Sequence, residues 1–313
     1  MDRNGKPVER LEGSGTATPL AVVGGSAAWR LLERAGWEVR ETVTVETPFG
    51  PSPPVRTVRW EGGAVARFVS RHGEDRYAVS APFVNYRAIV WALKSLGTER
   101  ILAWSGPGSL RPKRFRPGDL VIPDDLVDET RNRPSTFFAG KGWGFIRVHP
   151  VFCPEACKAL RQGTRDAGRG CRDGGTYVCT EGPRLETPAE IRKCRVIGGD
   201  LVGMTLCPEA FLARELEMCY APLCYVTNFA EGLVRRPAKP GVLFGGMLTD
   251  AERERVDECV EAFPAVFGHA LARLAVLPGR CICRQAMLRY RREGVLGEDW
   301  REWVGGEAVG CRL

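Results

Sequence analysis

Short apolar runs and amphipathic segments alternate along the first half of the chain. Residues 19–25 (PLAVVGG) form an apolar run that ends in two glycines, which predicts a strand followed by a tight turn. The helical spacing of apolar residues in 26–36 and in 84–97 predicts two amphipathic helices, each ending at a glycine. Val and Thr alternate between Pro-Gly turns in 41–73, which predicts antiparallel strands, and 100–109 is typical of a strand with a glycine loop.

The second half repeats this alternation of strands with helices. Strands are predicted at 176–183, 200–205 and 222–228, and helices at 187–199 and 208–217. This order is typical of a mostly parallel sheet that is covered on both faces. The predicted fold is therefore α/β: a single domain whose mostly parallel mixed central sheet is flanked by helices on both faces.

Two of the predicted helices carry clear signals for their first turn. Thr187 and Glu190 form a capping box, and Thr249 and Glu252 form a second one that opens a long helix. Glu186 directly precedes the first box. A carboxylate at a helix start is often there for capping alone, so this position by itself leaves the role of Glu186 open.

The chain shows no linker long enough to divide it. Residues 1–18 are polar and predict a loosely ordered N-terminus, 19–278 form one domain, and 279–313 form a polar, Trp-containing C-terminal extension. Residues 131–150 and 233–246 are rich in Gly, Pro and Arg, and we expect them to be loops that cover a site.

Composition excludes several classes of protein. Hydrophobic residues make up 44% of the 313 positions and charged residues 27%, and no uncharged apolar run approaches 18 residues. With no apolar segment near the N-terminus, the sequence predicts a soluble cytoplasmic protein that neither enters membranes nor is secreted. The net charge of +7 is scattered and matches no nucleic-acid-binding pattern. A small anionic ligand explains the excess equally well.

The twelve cysteines lie at irregular spacings. Cys179, Cys194, Cys219 and Cys224 fall inside predicted helices and strands, which favours reduced, buried thiols over a disulfide framework.

Two closer cysteine pairs resemble metal ligands only superficially. Cys153 and Cys157 share a helical spacing, and Cys281 and Cys283 form a CxC. Neither pair has the second pair or the histidines that a zinc site needs, and the chain has only three histidines. No metal site is predicted.

Residues that can bind an anion follow several predicted strands. In an open α/β sheet, ligands bind at the carboxyl ends of the strands, so these residues should meet. A plain turn or a surface accident accounts for each one taken singly. The chain has no GxGxxG and no GK[ST], which weighs against a dinucleotide site or a P-loop. The candidates are Ser26, Arg71, His72, Ser105, Gly106 and Thr205.

A second group at the strand ends has a different chemistry. Glu186 is an acceptor when ionised, and Asn228 can both donate and accept. Met204 and Phe229 offer apolar surface that suits an aromatic ring. The alternative is a capping Glu, a turn Asn and two core side chains.

These residues stand in segments that resemble a known enzyme family. Segment 180–192 contains GPRxxxxAE and segment 198–232 contains GMTxxPE. Together they closely resemble the trimeric purine nucleoside phosphorylases and 5'-methylthioadenosine phosphorylases, and the match extends from about residue 20 to about residue 274.

The resemblance implies that phosphate attacks C1' of a purine nucleoside and releases the base and ribose 1-phosphate. It implies a homotrimer with no cofactor and no metal, and it makes 19–278 the catalytic domain. Met204 is expected along the ribose, Asn228 and Ala230 at the purine, and Asn228 and His72 as catalytic residues. The implied phosphate contacts are Ser26, Arg71, His72, Ser105, Gly106 and Thr205.

The family divides at the purine-reading positions. Members specific for 6-aminopurines resemble T-D-Y-D where this chain has Thr227-Asn228-Phe229-Ala230, and they carry Ser at the position of Glu186. The resemblance therefore implies a 6-oxopurine nucleoside, inosine or guanosine. Hydrogen-bond chemistry agrees, because a 6-oxopurine presents an N1–H donor to a carboxylate whereas adenine presents a lone pair.

Other interpretations remain open from the sequence. Pro107 removes an amide donor from the implied phosphate loop, and a nucleoside-binding protein without activity is one alternative. The segment RRPAKPGVLFGG contains no histidine to read a 5'-hydroxyl. This leaves 5'-methylthioinosine or 5'-methylthioadenosine as alternative substrates.

Overall fold

The computed structural model describes residues 18–26, 28, 38–59, 64–74, 76–236, 241, 243 and 248–305. The strands are β1 Leu20–Gly24, β2 Glu38–Val43, β3 Val55–Arg59, β4 Val65–Ser70, β5 Arg100–Ser105, β6 Gly108–Ser109, β7 Leu120–Ile122, β8 Asp125–Glu129, β9 Arg172–Asp173, β10 Thr176–Thr180, β11 Leu201–Gly203, β12 Cys219–Tyr225 and β13 Asn228–Phe229. The helices are α1 Tyr86–Ser95, α2 Pro154–Asp166, α3 Pro188–Val196, α4 Glu209–Glu215, α5 Asp250–Ala275, α6 Leu288–Arg292 and α7 Trp300–Gly305.

The strands form two mixed sheets. One has the order β2-β3-β4-β1-β5-β12-β7-β9, and the other has the order β13-β6-β11-β10-β8. Parallel pairs predominate in both, and the predicted antiparallel strands are β2, β3 and β4. The α/β fold with mostly parallel strands is confirmed. The difference is that the single predicted sheet is divided into two.

Consecutive strands join the two sheets. β5 continues into β6, β7 into β8, and β12 into β13, each time after two intervening residues. The chain therefore passes from one sheet into the other at three places, and the passages after β5 and β12 are neighbours because these two strands pair in parallel. The strand ends at these bends, which include Ser105 and Asn228, lie close together because β6 pairs with β13.

Both faces of the larger sheet are covered. Side chains alternate between the faces of a strand, and in β1 Ala21 and Val23 join one apolar cluster while Leu20 and Val22 join another. The first cluster includes residues of α1 and α4, and the second includes residues of α2 and α5. Burial on both faces explains why these strands are continuously apolar in the sequence.

The predicted helix starts are confirmed. Thr187 accepts from the backbone of Glu190, and the carboxylate of Glu190 accepts from the backbone of Thr187. Thr249 and Glu252 make the same reciprocal pair at the start of α5. Each pair satisfies two backbone N–H groups that the helix leaves without partners.

Several sequence predictions concern other parts of the chain. Residues 1–17 of the predicted N-terminus, most of the predicted helix at 26–36 and much of 233–246 lie outside the described residues. Residues 131–150 contain no helix or strand, as predicted, but Phe137 and Phe138 pack into the core. Among the helices that the structure describes, none has the length and apolar character needed to cross a membrane.

Candidate active site

A cavity of about 440 Å³ opens where the two sheets meet. It brings together nine of the residues predicted from the sequence and adds residues that the sequence analysis missed, among them Tyr77, Leu185, Glu231 and Leu243. Leu243 is the contribution of the predicted covering loop, whereas residues 131–150 contribute none of the described lining. The predicted residues that line it are Ser26, His72, Ser105, Gly106, Glu186, Met204, Thr205, Asn228 and Ala230.

Phe229 does not line this cavity, which corrects the prediction that it offers a flat surface to the ligand. Asn228 and Ala230 face the cavity, and Phe229 between them lies beside the guanidinium of Arg236, 5.6 Å from the ring centre. Successive side chains of a strand point to opposite faces. One residue of β13 therefore has to turn away if its two neighbours face the ligand.

Three hydroxyls form a connected group on the cavity wall. Thr205 donates from Oγ1 to Ser105 Oγ at 2.9 Å, and Ser105 Oγ lies 2.9 Å from the hydroxyl of the buried Tyr177. Gly203 makes room for this group, because the Tyr177 hydroxyl lies 2.0 Å from the place where a Cβ would stand. The network fixes Ser105 and Thr205 as neighbouring hydrogen-bonding groups for a ligand.

His72 is held as a neutral ring. Its Nδ1 lies 2.8 Å from the carbonyl oxygen of Val79, so Nδ1–H is the donor and Nε2 is the nitrogen left for a ligand. The ring of Tyr77 stacks on it at 4.4 Å between centroids. Burial, and then the charge of Arg71, lower the pKa of His72 to about 4. The imidazole can therefore accept a hydrogen bond at neutral pH.

This lowered pKa should make stability depend on pH. The unfolded chain protonates His72 near pH 6.5 whereas the folded chain resists protonation down to about pH 4. The free energy of unfolding should therefore fall as pH drops through this window, by at most roughly 3 kcal/mol from this group. In His72→Gln the pH dependence that His72 contributes to the free energy of unfolding should disappear.

Denaturant unfolding between pH 4 and 7 measures this pH dependence, and His269→Asn, a change at an exposed histidine, is the control. Equal slopes for wild type and His72→Gln would contradict the assignment.

Arg71 lies behind the wall of the cavity. Its guanidinium donates to Glu209 from Nε at 2.9 Å and from Nη2 at 2.6 Å, and both side chains are fully buried. Burial lowers the pKa of Arg71, but the charge and hydrogen bonds of Glu209 outweigh it and raise the pKa above its ordinary value. Tyr220 donates a further hydrogen bond to Glu209 at 2.7 Å. Direct contact of Arg71 with phosphate stays a prediction.

Glu186 is not a capping residue. The capping box at the start of α3 consists of Thr187 and Glu190, so the carboxylate of Glu186 is free for another task. Thr180 donates to Oε1 of Glu186 at 2.5 Å and so orients it at the cavity. The other carboxylate oxygen, Oε2, accepts no hydrogen bond from the residues that the structure describes. It can accept a hydrogen bond from a ligand.

Asn228 is buried and oriented by its neighbours in sequence. Thr227 donates from Oγ1 to Oδ1 of Asn228 at 2.8 Å, and Nδ2 donates to the carbonyl oxygen of Phe229 at 2.8 Å. The amide has two N–H donors, so one remains for a ligand. Gly108, paired with Asn228 across the strands, leaves space beside this amide.

Arg133 connects the two loops that carry the substrate-facing residues, and the sequence analysis missed it. Its Nη1 donates to the carbonyl oxygens of Met204 at 2.6 Å and Cys207 at 2.7 Å. Its Nη2 donates to the carbonyl oxygens of Glu181 at 2.6 Å and Thr180 at 3.2 Å. One buried guanidinium thus fixes the distance between the Glu186 loop and the Met204 loop.

Arg133→Lys should impair both stability and function, because one ammonium cannot reach both loops. We expect the free energy of unfolding to fall by roughly 2–4 kcal/mol, since buried carbonyls lose their donors. If the cavity is an active site, kcat/KM should fall about 10²-fold, as expected when reacting groups are misplaced. Arg131→Lys, an exposed arginine in the same loop, is the matched control. Indistinguishable behaviour of the two variants would contradict the connecting role.

Comparison with known proteins agrees with this geometry. A Pyrococcus furiosus protein named 6-oxopurine nucleoside phosphorylase is 45% identical over 221 residues, which is 68% of this chain and 80% of that protein. A Methanothermobacter thermautotrophicus protein named "Probable S-methyl-5'-thioinosine phosphorylase" is 44% identical over 216 residues, 68% of this chain and 72% of that protein.

Solved structures show the same fold. The crystal structure of a methylthioadenosine phosphorylase from an Antarctic soil metagenomic library superposes with a TM-score of 0.76 and 31% identity, covering 87% of this chain and 91% of that one. The family model described as the phosphorylase superfamily matches residues 19–271. This match spans most of the chain and all of the predicted residues that line the cavity, so the chain belongs to the phosphorylase superfamily.

Proposed function

We propose that this protein catalyses the phosphorolysis of a 6-oxopurine nucleoside, inosine or guanosine, to the free base and ribose 1-phosphate. The observation that carries the proposal is that a single cavity is lined by both sets of groups. Ser26, Ser105 and Thr205 supply hydroxyls for phosphate, and Glu186 and Asn228 supply the acceptor and the donor that a 6-oxopurine needs.

The base-reading half rests on hydrogen-bond complementarity. A 6-oxopurine has a donor at N1–H and acceptors at O6 and N7. The unpaired carboxylate oxygen of Glu186 matches N1–H, and the remaining N–H of Asn228 matches O6 or N7. Adenine would place its N1 lone pair against the carboxylate. A buried group left without a partner in this way costs about 1–3 kcal/mol.

The phosphate-binding half uses neutral donors and a neutral histidine. Ser105 and Thr205 form one side through their shared hydrogen bond, and His72 offers Nε2 to a protonated oxygen of phosphate. Gly25 and Gly106 line the cavity with backbone, as in other anion sites, and an added Cβ at either position would collide with neighbouring protein atoms. Arg71 contributes its charge from behind Gly25, where Nη1 lies 3.2 Å from the site of an added Cβ.

The proposed reaction develops two opposite charges. As the bond between C1' and N9 breaks, positive charge grows on the ribose and negative charge on the purine. Bound phosphate stabilises the first and then bonds to C1'. Asn228 stabilises the second, because its hydrogen bond to O6 or N7 strengthens as the base becomes an anion; preorganised donors of this kind contribute about 3–4 kcal/mol. The names of the Pyrococcus and Methanothermobacter relatives support a 6-oxopurine substrate.

One observation favours a second substrate, 5'-methylthioinosine. Leu243, which comes from the segment without histidine, lines the cavity with an apolar side chain. A methylthio group suits such a surface better than a hydroxyl does. The base of this nucleoside is also a 6-oxopurine, so the proposed roles of Glu186 and Asn228 would be unchanged.

The resemblance also supports a cytoplasmic homotrimer that works in purine salvage without cofactor or metal in its reaction. We propose the compartment, the trimer, the salvage role and the cofactor-free reaction on this ground. Sedimentation analysis of the purified protein tests the trimer.

A phosphate-dependent assay across five nucleosides tests the function. Inosine, guanosine and 5'-methylthioinosine should release base only when phosphate is present, and adenosine and 5'-methylthioadenosine should react far more slowly. Fastest reaction with the 6-amino compounds would refute the base-reading proposal. Binding of nucleoside without any release of base would instead indicate the inactive alternative.

A further inference from the structure

Four cysteines that do not line the cavity meet at one place in the fold. The Sγ atoms of Cys153, Cys219, Cys281 and Cys283 all lie within 4.8 Å of one another. Cys219 Sγ and Cys281 Sγ are 3.3 Å apart. Three of the side chains are buried and Cys281 is half-buried, and all four are free thiols.

The spacing of the sulfur atoms fits a tetrahedral metal ion. Zinc bound by four thiolates has Zn–S distances of about 2.3 Å, which places the sulfurs about 3.8 Å apart. The distance of 3.3 Å between Cys219 Sγ and Cys281 Sγ lies slightly below this value, and the limit of 4.8 Å on the other separations includes it. We propose that Cys153, Cys219, Cys281 and Cys283 form a structural zinc site. This proposal is independent of the proposed function.

The fold delivers the four ligands from three separate elements. Cys153 is the N-cap of α2, Cys219 is the first residue of β12, and Cys281 and Cys283 lie at the start of a short 3-10 helix. Backbone hydrogen bonds hold two of them: Cys153 N–H donates to Tyr220 O and Cys219 N–H donates to Glu99 O, each at 2.8 Å. The backbone of these two ligands is therefore positioned without help from a metal ion.

The surroundings suit a soft, closed metal site. Cys153, Cys219 and Cys283 belong to the apolar core cluster of α2 and α5, which keeps water away from the sulfurs. Four thiolates and one divalent zinc leave a net charge of −2. Arg280 and Arg284 flank the CxC in sequence, and Arg284 forms an ion pair with Glu99. Thiolate ligands select zinc over magnesium or calcium.

This proposal reverses the sequence-based expectation that the chain has no metal site. The expectation rested on the sequence spacing of zinc ligands, in which Cys281 and Cys283 have no second cysteine pair close by. The premise fails in the folded chain, where Cys153 and Cys219 complete the set. Cys157, which shares the helical spacing with Cys153, is not part of the cluster.

The zinc ion would fasten the C-terminal extension to the main body. Two ligands come from residues beyond 278, and the extension also buries Met287, Tyr290 and Trp303 in the main core. Structural zinc binding contributes directly to folding stability. We therefore expect removal of zinc to lower the melting temperature by several degrees.

Metal analysis of the intact protein is the first test. The full chain is purified from zinc-supplemented cells under reducing, anaerobic conditions without a metal-affinity tag. Elemental analysis should give about one zinc per chain, and X-ray absorption at the zinc edge should give four sulfurs at about 2.3 Å. A chain free of zinc, whether its thiols are reduced or joined as disulfides, would overturn the proposal.

Matched cysteine variants then locate the metal. Cys281→Ser and Cys283→Ser should each lower the zinc content at least tenfold, whereas Cys171→Ser (half-buried) and Cys259→Ser (buried) should retain it. A strong chelator should lower the melting temperature of the wild type and of both controls. If Cys281→Ser and Cys283→Ser keep a full zinc ion, the site is refuted. If Cys281→Ser and Cys283→Ser fail to fold, the zinc content of the wild type and the number of sulfurs around its zinc decide whether the site exists.

Discussion

Replacing Glu186 by serine and Asn228 by aspartate together should turn the enzyme from 6-oxopurine to 6-aminopurine nucleosides. The serine removes the charge that repels the adenine N1 lone pair, and the aspartate accepts a hydrogen bond from the 6-amino group. We expect the ratio of kcat/KM for inosine to that for adenosine to fall by about 10³-fold or more, because sites built on such hydrogen bonds discriminate by up to roughly 10⁴ to 10⁵. Steady-state kinetics with both nucleosides measure the ratio.

The single variants and a control sharpen this test. Asn228→Asp alone should shift the ratio in the same direction but less, because Glu186 still faces the N1 edge. Glu231→Gln changes another carboxylate of the same cavity and should leave the ratio within about threefold of wild type, since measured effects scatter by factors of this size. An unchanged ranking of substrates in the double variant would contradict the proposed reading of the base.

Glu209→Gln should destabilise the protein by roughly 3–5 kcal/mol, because it leaves the buried charge of Arg71 without its partner. This is a large expected loss of stability for the exchange of a single heavy atom. Chemical denaturation measures it. The exposed pair Arg273 and Asp166 serves as control, and Asp166→Asn should leave the denaturation midpoint nearly unchanged, because exposed ion pairs contribute little to stability.

A triple variant separates the structural role of this pair from its role in function. Arg71→Met, Glu209→Leu and Tyr220→Phe together remove the three polar side chains of this group, and apolar replacements of a buried ion pair often restore stability. The KM for phosphate should nevertheless rise at least tenfold, since the cation behind Gly25 is gone. If Glu209→Gln is as stable as the wild type, the structural role of the ion pair is contradicted. If the triple variant has an unchanged KM for phosphate, the role of Arg71 in phosphate binding is contradicted.

Local signals in the sequence predicted much of the fold. Capping boxes at Thr187 and Thr249 located two helix starts correctly, because a cap depends only on residues within one turn. Period-two and continuously apolar runs located most of the strands for the same reason. The division into two sheets was missed, since it depends on pairing between distant strands such as β6 and β13.

The site was only partly predictable because its support comes from distant segments. Arg71 and Glu209 are 138 residues apart, and no local pattern links them. Arg133 is recognisable only once the carbonyls of two loops are seen to converge on it. The cysteine cluster was missed for the same reason, since spacing rules detect ligands within one segment but not across three.

Phe229 illustrates a different kind of error. Its neighbours Asn228 and Ala230 were placed correctly at the cavity, and strand alternation would have excluded the residue between them. Phe229 was predicted from its side chain alone, because a flat apolar ring suits a purine. Glu186 shows the converse, because the recognised capping box already accounted for the helix start without it.

A crystal structure with hypoxanthine and phosphate bound tests the central claim most directly. The carboxylate of Glu186 should lie at hydrogen-bond distance, about 2.6–3.2 Å, from N1 of the base, with the amide of Asn228 equally close to O6 or N7. A complex in which Glu186 turns away from the base and water occupies its place would contradict the proposed function of this site.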